Sequence, residues 1–290
     1  MKKISHILAS LLAVSFLAPT LLVACKSPTV DAGIENGESS ENTEMENGGV
    51  EEILPPTVET PVVPDEPTVP ETPVVPDEPA TAEYLRCTGD SVNLRSGAGS
   101  SYAVVGSAKK GETYAVVGKN GNWYETYYRG KKVYISASYV SLLSLEKHED
   151  KDVEKVLNEG YKLLGVPYVY GAVRFHDGKG NLLGGFNAQK FDCSSLVQYV
   201  FYKGANALLQ VTTRTQVVQG KYVKPGDLQR GDCMYFTNES RKHLSGINRV
   251  GHVAIYLGGN YILHTASDYA RIEQISATRW SYFLEARRFT

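Results

Sequence analysis

The chain has 290 residues, 42% of them hydrophobic and 21% charged, with a formal net charge of -2. That length allows two domains with real cores, and the uneven composition excludes one compact unit. The near-neutral total hides a division. Residues 26–83 hold 15 of the 32 acidic side chains against Lys26 alone, whereas residues 84–290 set 17 acids against 27 of the 30 Lys and Arg. A basic excess of this kind suits a polyanionic surrounding: nucleic acid, anionic lipid or a cell wall.

The first residues choose among these. Lys2 and Lys3 precede an apolar run, Ile7 to Leu17, that is too short to span a bilayer, so residues 1–24 read as an export signal. Leu22-Val23-Ala24-Cys25 resembles a bacterial lipoprotein signal-peptidase site. The resemblance implies cleavage before Cys25, lipid on its thiol, and a mature chain held outside the cytoplasm at the bacterial cell envelope. An ordinary secretory signal with a chance cysteine is the alternative. Export removes nucleic acid from the expected partners.

Residues 25–82 are acidic, then proline-rich, with too few large apolar side chains to form a core. Glu59 to Pro70 recurs almost unchanged from Glu71 to Pro79, which favours extended polyproline conformations and reads as a spacer. Over residues 83–145 the texture changes to short β-rich runs broken by glycine turns. Val92 to Arg95, Ala103 to Gly106, Tyr114 to Val117, Trp123 to Thr126 and Lys132 to Ile135 predict a small all-β barrel.

Residues 150–290 carry the candidate chemistry. A helix is expected over Asp152 to Leu164, ended by Gly165 and Pro167. Phe191-Asp192-Cys193-Ser194-Ser195 opens a second helix, with Leu196, Val197 and Val200 toward a core and a stop at Gly204. The positive end of that helix would stabilise a Cys193 thiolate, the nucleophilic form. Taken alone, the segment fits a buried apolar cysteine at least as well, and Asp192 fits a helix N-cap.

Downstream, Gly231 to Phe236 reads as a buried strand, Arg249 to Leu257 alternates as a half-buried one, and Tyr261 to His264 returns as its hairpin partner. With a three-residue loop, 258–260, Leu257 faces Tyr261 and Ala254 faces His264. His252 then lies one diagonal step from His264 on the same face. A two-residue loop would put the histidines on opposite faces. A last strand is expected near Leu284 to Phe289. Helices followed by an antiparallel sheet make an α+β domain. Cysteine, a histidine to take its proton and a second polar group to orient that imidazole are the parts of a nucleophilic triad. Cys87 and Cys233 fall in different predicted domains and read as two buried thiols rather than a disulfide.

Two stretches resemble known families. Asn93 to Tyr102, Lys109 to Glu112, Gly121 to Glu125 and Tyr139-Val140-Ser141 resemble the bacterial SH3-like module, which implies wall binding or a wall of a substrate cleft. Residues 150–290 resemble the NlpC-type cell-wall cysteine peptidases, through Gly165 to Gly171, Asp192-Cys193-Ser194, Arg214-Thr215, Gln219, Gly231-Asp232, Gly251-His252-Val253 and His264 to Ser267. This implies a permuted papain-like fold with Cys193 as nucleophile, His252 as general base and His264 as its orienting group. Tyr168 would be a hydroxyl near the oxyanion, with Asp192 and Ser194 at positions that hold a substrate's free amine. The implied reaction is hydrolysis of peptidoglycan stem peptides between D-glutamate and the diamino acid, through a thioester. No phosphate-binding glycine loop appears in the sequence, and His6, His148, His176 and His243 lack ligand spacing with the cysteines, so no metal or other cofactor is expected, and the chain is expected to be a monomer. A catalytically idle wall-binding lipoprotein, or a related amidase or acyltransferase, are the alternatives. Ala172 and Ser195 depart from the family's usual glycines, and 25 residues separate Tyr168 from Cys193, about twice the usual spacing. The extra segment is expected to form a loop beside the cleft.

Overall fold

The computed structural model describes residues 80–290. The signal expected at 1–24, the lipidation expected at Cys25 and nearly all of the spacer expected at 25–82 lie outside the described residues.

Eight short strands build the first part: β1 (Thr81–Cys87), β2 (Ser91–Arg95), β3 (Val104–Lys109), β4 (Thr113–Ala115), β5 (Gly118–Asn120), β6 (Trp123–Tyr128), β7 (Lys131–Ser136) and β8 (Val140–Glu146). Five of them form a sheet in the order β3-β2-β7-β6-β5. Period-two alternation drives Val92 and Leu94 of β2, and Val133 and Ile135 of β7, into one core. The β6–β7 hairpin turns on Arg129 and Gly130, both at positive φ (52° and 78°), as a tight two-residue turn requires. Its tip has a second task. Arg129 N–H donates to Leu164 O at 2.7 Å and Gly130 N–H to Lys162 O at 2.8 Å, satisfying carbonyls at the end of the following helix.

The second part runs α1 (Lys151–Lys162), α2 (Cys193–Ala205), α3 (Thr213–Gln216), β9 (Lys221–Val223), β10 (Cys233–Phe236), β11 (His252–Gly258), β12 (Tyr261–Ala266), β13 (Tyr269–Gln274), α4 (Ala277–Ser281) and β14 (Phe283–Arg288). It is the expected α+β arrangement, helices first and antiparallel strands after. The order β13-β12-β11-β10-β14-β9 continues through the Ile272↔Thr113 pair into β4, β1 and β8, so one nine-stranded sheet spans both parts. Strands β1, β5, β8, β9 and β13 were not expected from the sequence. β13 matters most, although Tyr269 to Gln274 alternates buried and half-exposed residues as a strand should.

Helix α2 passes the stop expected at Gly204 and ends one residue later, where Asn206 takes the left-handed conformation (φ 53°). Gly204 serves packing instead. A Cβ there would sit 2.4 Å from the Val156 backbone, so the glycine lets α1 and α2 touch. The two helices bury Val153, Val156, Leu157, Leu196, Val197 and Val200 over β11 and β12. Cys87 and Cys233 are free, buried thiols.

The hairpin solves its register differently from the three-residue expectation. Gly258 pairs with Tyr261 across a two-residue turn, Gly259 and Asn260 (φ 54° and 68°), which alone would move the histidines to opposite faces. A bulge between Tyr256 and Gly258 restores the pairing, with Tyr256 opposite Ile262 and Ile255 opposite Leu263. Both histidines therefore share a face.

A buried ionic cluster joins the two parts. Arg230 Nε donates to Glu154 Oε1 at 2.6 Å and Nη2 to Oε2 at 3.1 Å, while Nη1 reaches the Tyr84 hydroxyl at 2.8 Å and Leu257 O at 2.9 Å. Nη2 also donates to the Tyr161 hydroxyl at 3.0 Å, which lies 2.6 Å from that of Tyr84. Every guanidinium nitrogen has a partner, the condition under which a buried charge is tolerated.

Candidate active site

Cys193 is the first residue of α2 and is 9% exposed. Its place follows from Asp192, whose Oδ1 accepts the Ser195 N–H at 2.8 Å while Ser195 Oγ accepts the Asp192 N–H at 2.9 Å, a complete capping box. The N-cap reading of Asp192 is thus correct in the structure. As a first-turn residue, Cys193 keeps a backbone N–H with no intrahelical acceptor. Burial, and then the Asp192 carboxylate, push the thiol up to about 12, while the Val253 and Ser194 amides and Arg174 pull it down less strongly. The sequence expectation was a thiolate favoured by the helix end. A helix terminus is worth at most about 2 kcal/mol, while desolvation of a buried group reaches 3–5 pKa units, so burial wins.

His252 opens β11 and His264 sits in β12. Their imidazoles stand nearly perpendicular (81°), with His252 Nε2 2.9 Å from His264 Nδ1. That bond uses Nε2 of His252 and leaves its Nδ1 outside the pair. His264 is 1% exposed, and its Nε2 lies 3.3 Å from Glu273 Oε2, off the ideal hydrogen-bond direction. Glu273 comes from β13, where it shares a face with His264 because His264 pairs with Arg271 two residues earlier. Arg279 Nη2 holds its other oxygen at 2.7 Å. Burial works to raise the Glu273 carboxyl, but His264 and Arg279 outweigh it and bring it down to about 2. Burial depresses both imidazoles, His252 well below its usual value, with His264 and Arg279 adding to the effect there and Glu273 opposing it. At neutral pH the arrangement is a neutral thiol, two neutral imidazoles and a carboxylate. Glu273 carries no sequence motif of its own, because only the pairing of β13 with β12 sets it beside His264.

Tyr168, Cys193 and His252 line one cleft of about 470 Å³. Tyr168 is half-buried, and burial followed by proximity to Cys193 raises its phenol, which therefore stays protonated. A second hollow that also touches Cys193, about 460 Å³, is lined by Tyr168, Tyr170, Arg174, Asp192, Arg214 and Arg241 among others. Here the loop between Tyr168 and Cys193 enters. Phe175 and Phe186 pack edge-on (5.0 Å) and clamp onto Tyr199 and Tyr202 of α2 at 5.1–5.4 Å, beside the fully buried His176. Asp177 ties the loop's own turn, accepting Lys179 N–H at 2.8 Å and Asn181 Nδ2 at 2.8 Å. This aromatic clamp sets Arg174 against Asp192, Nη2 to Oδ2 at 2.8 Å, with the same nitrogen 3.1 Å from Ser194 Oγ. All of the residues expected at the site thus adjoin Cys193, Tyr168, His252, Asp192 and Ser194 as cleft-lining groups and His264 behind His252.

Residues 165–288 match the NlpC/P60 family and residues 90–141 the bacterial SH3 domain. The chain carries an NlpC/P60 domain. Among its relatives are the gamma-DL-glutamyl hydrolase of Bacillus subtilis, 30% identical over 161 residues (55% of this chain, 35% of that one), and the peptidoglycan endopeptidase RipB of Mycobacterium tuberculosis, 28% identical over 120 residues (41% and 46%). The gamma-D-glutamyl-L-lysine dipeptidyl-peptidase of Bacillus subtilis is 28% identical over 129 residues (44% and 37%). The aligned stretch spans less than half the length of each of these proteins. The NlpC/P60 domain holds both histidines, Cys193 and Glu273, and the SH3 domain contributes Glu112, which accepts from the Tyr269 hydroxyl and ties β13 to the barrel.

Proposed function

We propose that the chain is a peptidoglycan hydrolase that cuts stem peptides at the amide between D-glutamate and the diamino acid, with Cys193 as nucleophile. The observation that carries this reading is the 2.9 Å His252–His264 bond beside a helix-start cysteine in one cleft. The γ-glutamyl bonds in the names of two relatives, and the peptidoglycan in that of a third, support the bond and substrate class.

In this mechanism Glu273, an acceptor at any pH above about 2, takes the Nε2 proton side of His264. His264 Nδ1 is then an acceptor, His252 Nε2–H its donor, and His252 Nδ1 a lone pair aimed at the thiol. Because thiol and imidazole start neutral, the proton passes from Sγ to Nδ1 as sulfur bonds to the carbonyl carbon. The imidazolium formed is balanced by the Glu273 charge through His264. The oxyanion meets the Cys193 N–H and the Tyr168 hydroxyl; one such donor is typically worth about 2.7–4 kcal/mol. Collapse breaks the C–N bond, His252 returns its proton to the departing amine, and a thioester remains. Water, deprotonated by His252, then releases the carboxylate and the thiol.

Lipid attachment at Cys25 would hold this domain at the envelope, with the acidic and proline-rich residues 25–82 as spacer. The test is mass spectrometry of products from defined muropeptides. The expected result is a single cut after D-glutamate, abolished in Cys193→Ala with the fold retained; undiminished cutting by that variant overturns the assignment.

A further inference from the structure

Asp192 does not meet the cleft as a free carboxylate. Its Oδ1 accepts Ser195 N–H at 2.8 Å and Ser194 Oγ–H at 3.1 Å, and its Oδ2 accepts Gly171 N–H at 3.2 Å and Arg174 Nη2 at 2.8 Å. A carboxylate has about four acceptor sites, so this one is saturated. Arg174 is equally committed. Nε donates to Val211 O at 2.9 Å, Nη1 to Ala172 O, and Nη2 to both Asp192 and Ser194 Oγ. Its side chain is 17% exposed, and the aromatic clamp on α2 holds the loop that carries it. The guanidinium is a built-in partner for Asp192, occupying the place where an incoming ammonium would pair.

The charge of the hollow follows. Among the described residues that line it, Asp192 is the one acid, facing Arg174, Arg214 and Arg241. With Asp192 cancelled by Arg174, two further guanidinium groups set the sign of the field in a cleft of restricted volume, where charges are less screened than in open water. Arg241 lines the hollow and is tethered through Nη1, which donates to Asn248 O at 3.0 Å. Tyr170, 84% exposed, offers a flat apolar face at the rim.

We propose that this hollow selects substrate segments that lack a free amine and carry a carboxylate: N-acylated, anionic γ-glutamyl peptides, with Arg174 as the residue that excludes an ammonium. The proposal deepens the hydrolase reading and rests on it for the scissile bond, but the charge preference is a binding property and is measured without turnover.

The experiment uses the Cys193→Ala chain and three peptides containing one γ-D-glutamyl-L-lysine bond, with the N-terminus free, acetylated or succinylated, titrated by calorimetry. The expected order of affinity is succinyl over acetyl over free amine, with about tenfold between the ends, the scale of one favourable against one unfavourable charge contact in a partly screened cleft. Adding Arg174→Gln unmasks Asp192 and should reverse the order, and Arg214→Ala or Arg241→Ala should weaken the succinyl peptide alone. Tightest binding of the free amine, equal affinities, or no binding of any peptide by the Cys193→Ala chain overturns the proposal, and none of these outcomes depends on Arg174→Gln folding. Cleavage by the Cys193 protein reads the other question separately: peptides bound in the expected order but left intact would remove the hydrolase reading and leave the charge assignment standing.

Discussion

His252 Nε2 lies 2.9 Å from His264 Nδ1, and one of those two nitrogens must donate. The choice is made outside the pair. Glu273 Oε2 lies 3.3 Å from the far nitrogen of His264, and a carboxylate there favours the proton on His264 Nε2; in the proposed mechanism His252 then uses its Nδ1 as the base for Cys193.

In the proposed mechanism, replacing Glu273 by Gln removes the negative charge that balances the His252 imidazolium. The expected result is a fall in kcat of about tenfold, the equivalent of one pKa unit on the base, with KM little changed. The acidic limb of the pH–rate profile should move to lower pH, because loss of the carboxylate depresses the imidazole further. A limb that stays put would assign Glu273 to packing alone.

Wild-type activity should persist below pH 6.5. In the proposed mechanism His252 is the base in its neutral form, and its folded value lies well below the ordinary 6.5, so protonation silences it only at still lower pH. Folding follows the same sign. Below pH 6.5 the unfolded chain binds protons that the buried imidazoles refuse, so the stability contributed by His252 and His264 declines as pH falls from there toward their folded values. Thermal unfolding between pH 7 and 5 measures this.

Free Cys193 should resist alkylation. With the thiol raised to about 12 against an ordinary 8.5, the thiolate fraction at pH 7 is lower than that of a simple thiol by about three orders of magnitude. Iodoacetamide incorporation in the absence of substrate, followed by intact mass, checks this; rapid labelling at pH 7 would instead indicate a preformed thiolate–imidazolium pair.

Gly204→Ala should destabilise without touching the cleft. The new Cβ meets the Val156 backbone at 2.4 Å, and backbone in a packed helix pair yields poorly. A cost of about 1–3 kcal/mol is expected, read as a lower urea midpoint with unchanged KM.

Glu154→Ala leaves Arg230 buried, with a side chain 4% exposed, and without its counter-charge. Stranding such a charge costs about 3–5 kcal/mol. Because Tyr84 of the barrel and Tyr161 of α1 share the same guanidinium, both parts of the molecule should loosen together in a single earlier transition.

The parts of the site that lie within one or two elements were legible in the sequence. Apolar spacing and the Asp192 cap put Cys193 at a helix start, and alternation around a glycine-rich turn brought His252 and His264 to one hairpin, since both patterns act over a dozen residues. The details that depend on distant atoms were not. A bulge, rather than loop length, aligned the histidines; β13 delivered Glu273; and a loop clamped by Phe175 and Phe186 carried Arg174 onto Asp192. The direction of the Cys193 shift was also decided there. A helix end is a local property and favours the thiolate by a small amount, while desolvation comes from every atom packed around the sulfur, and those atoms are assembled by the tertiary fold.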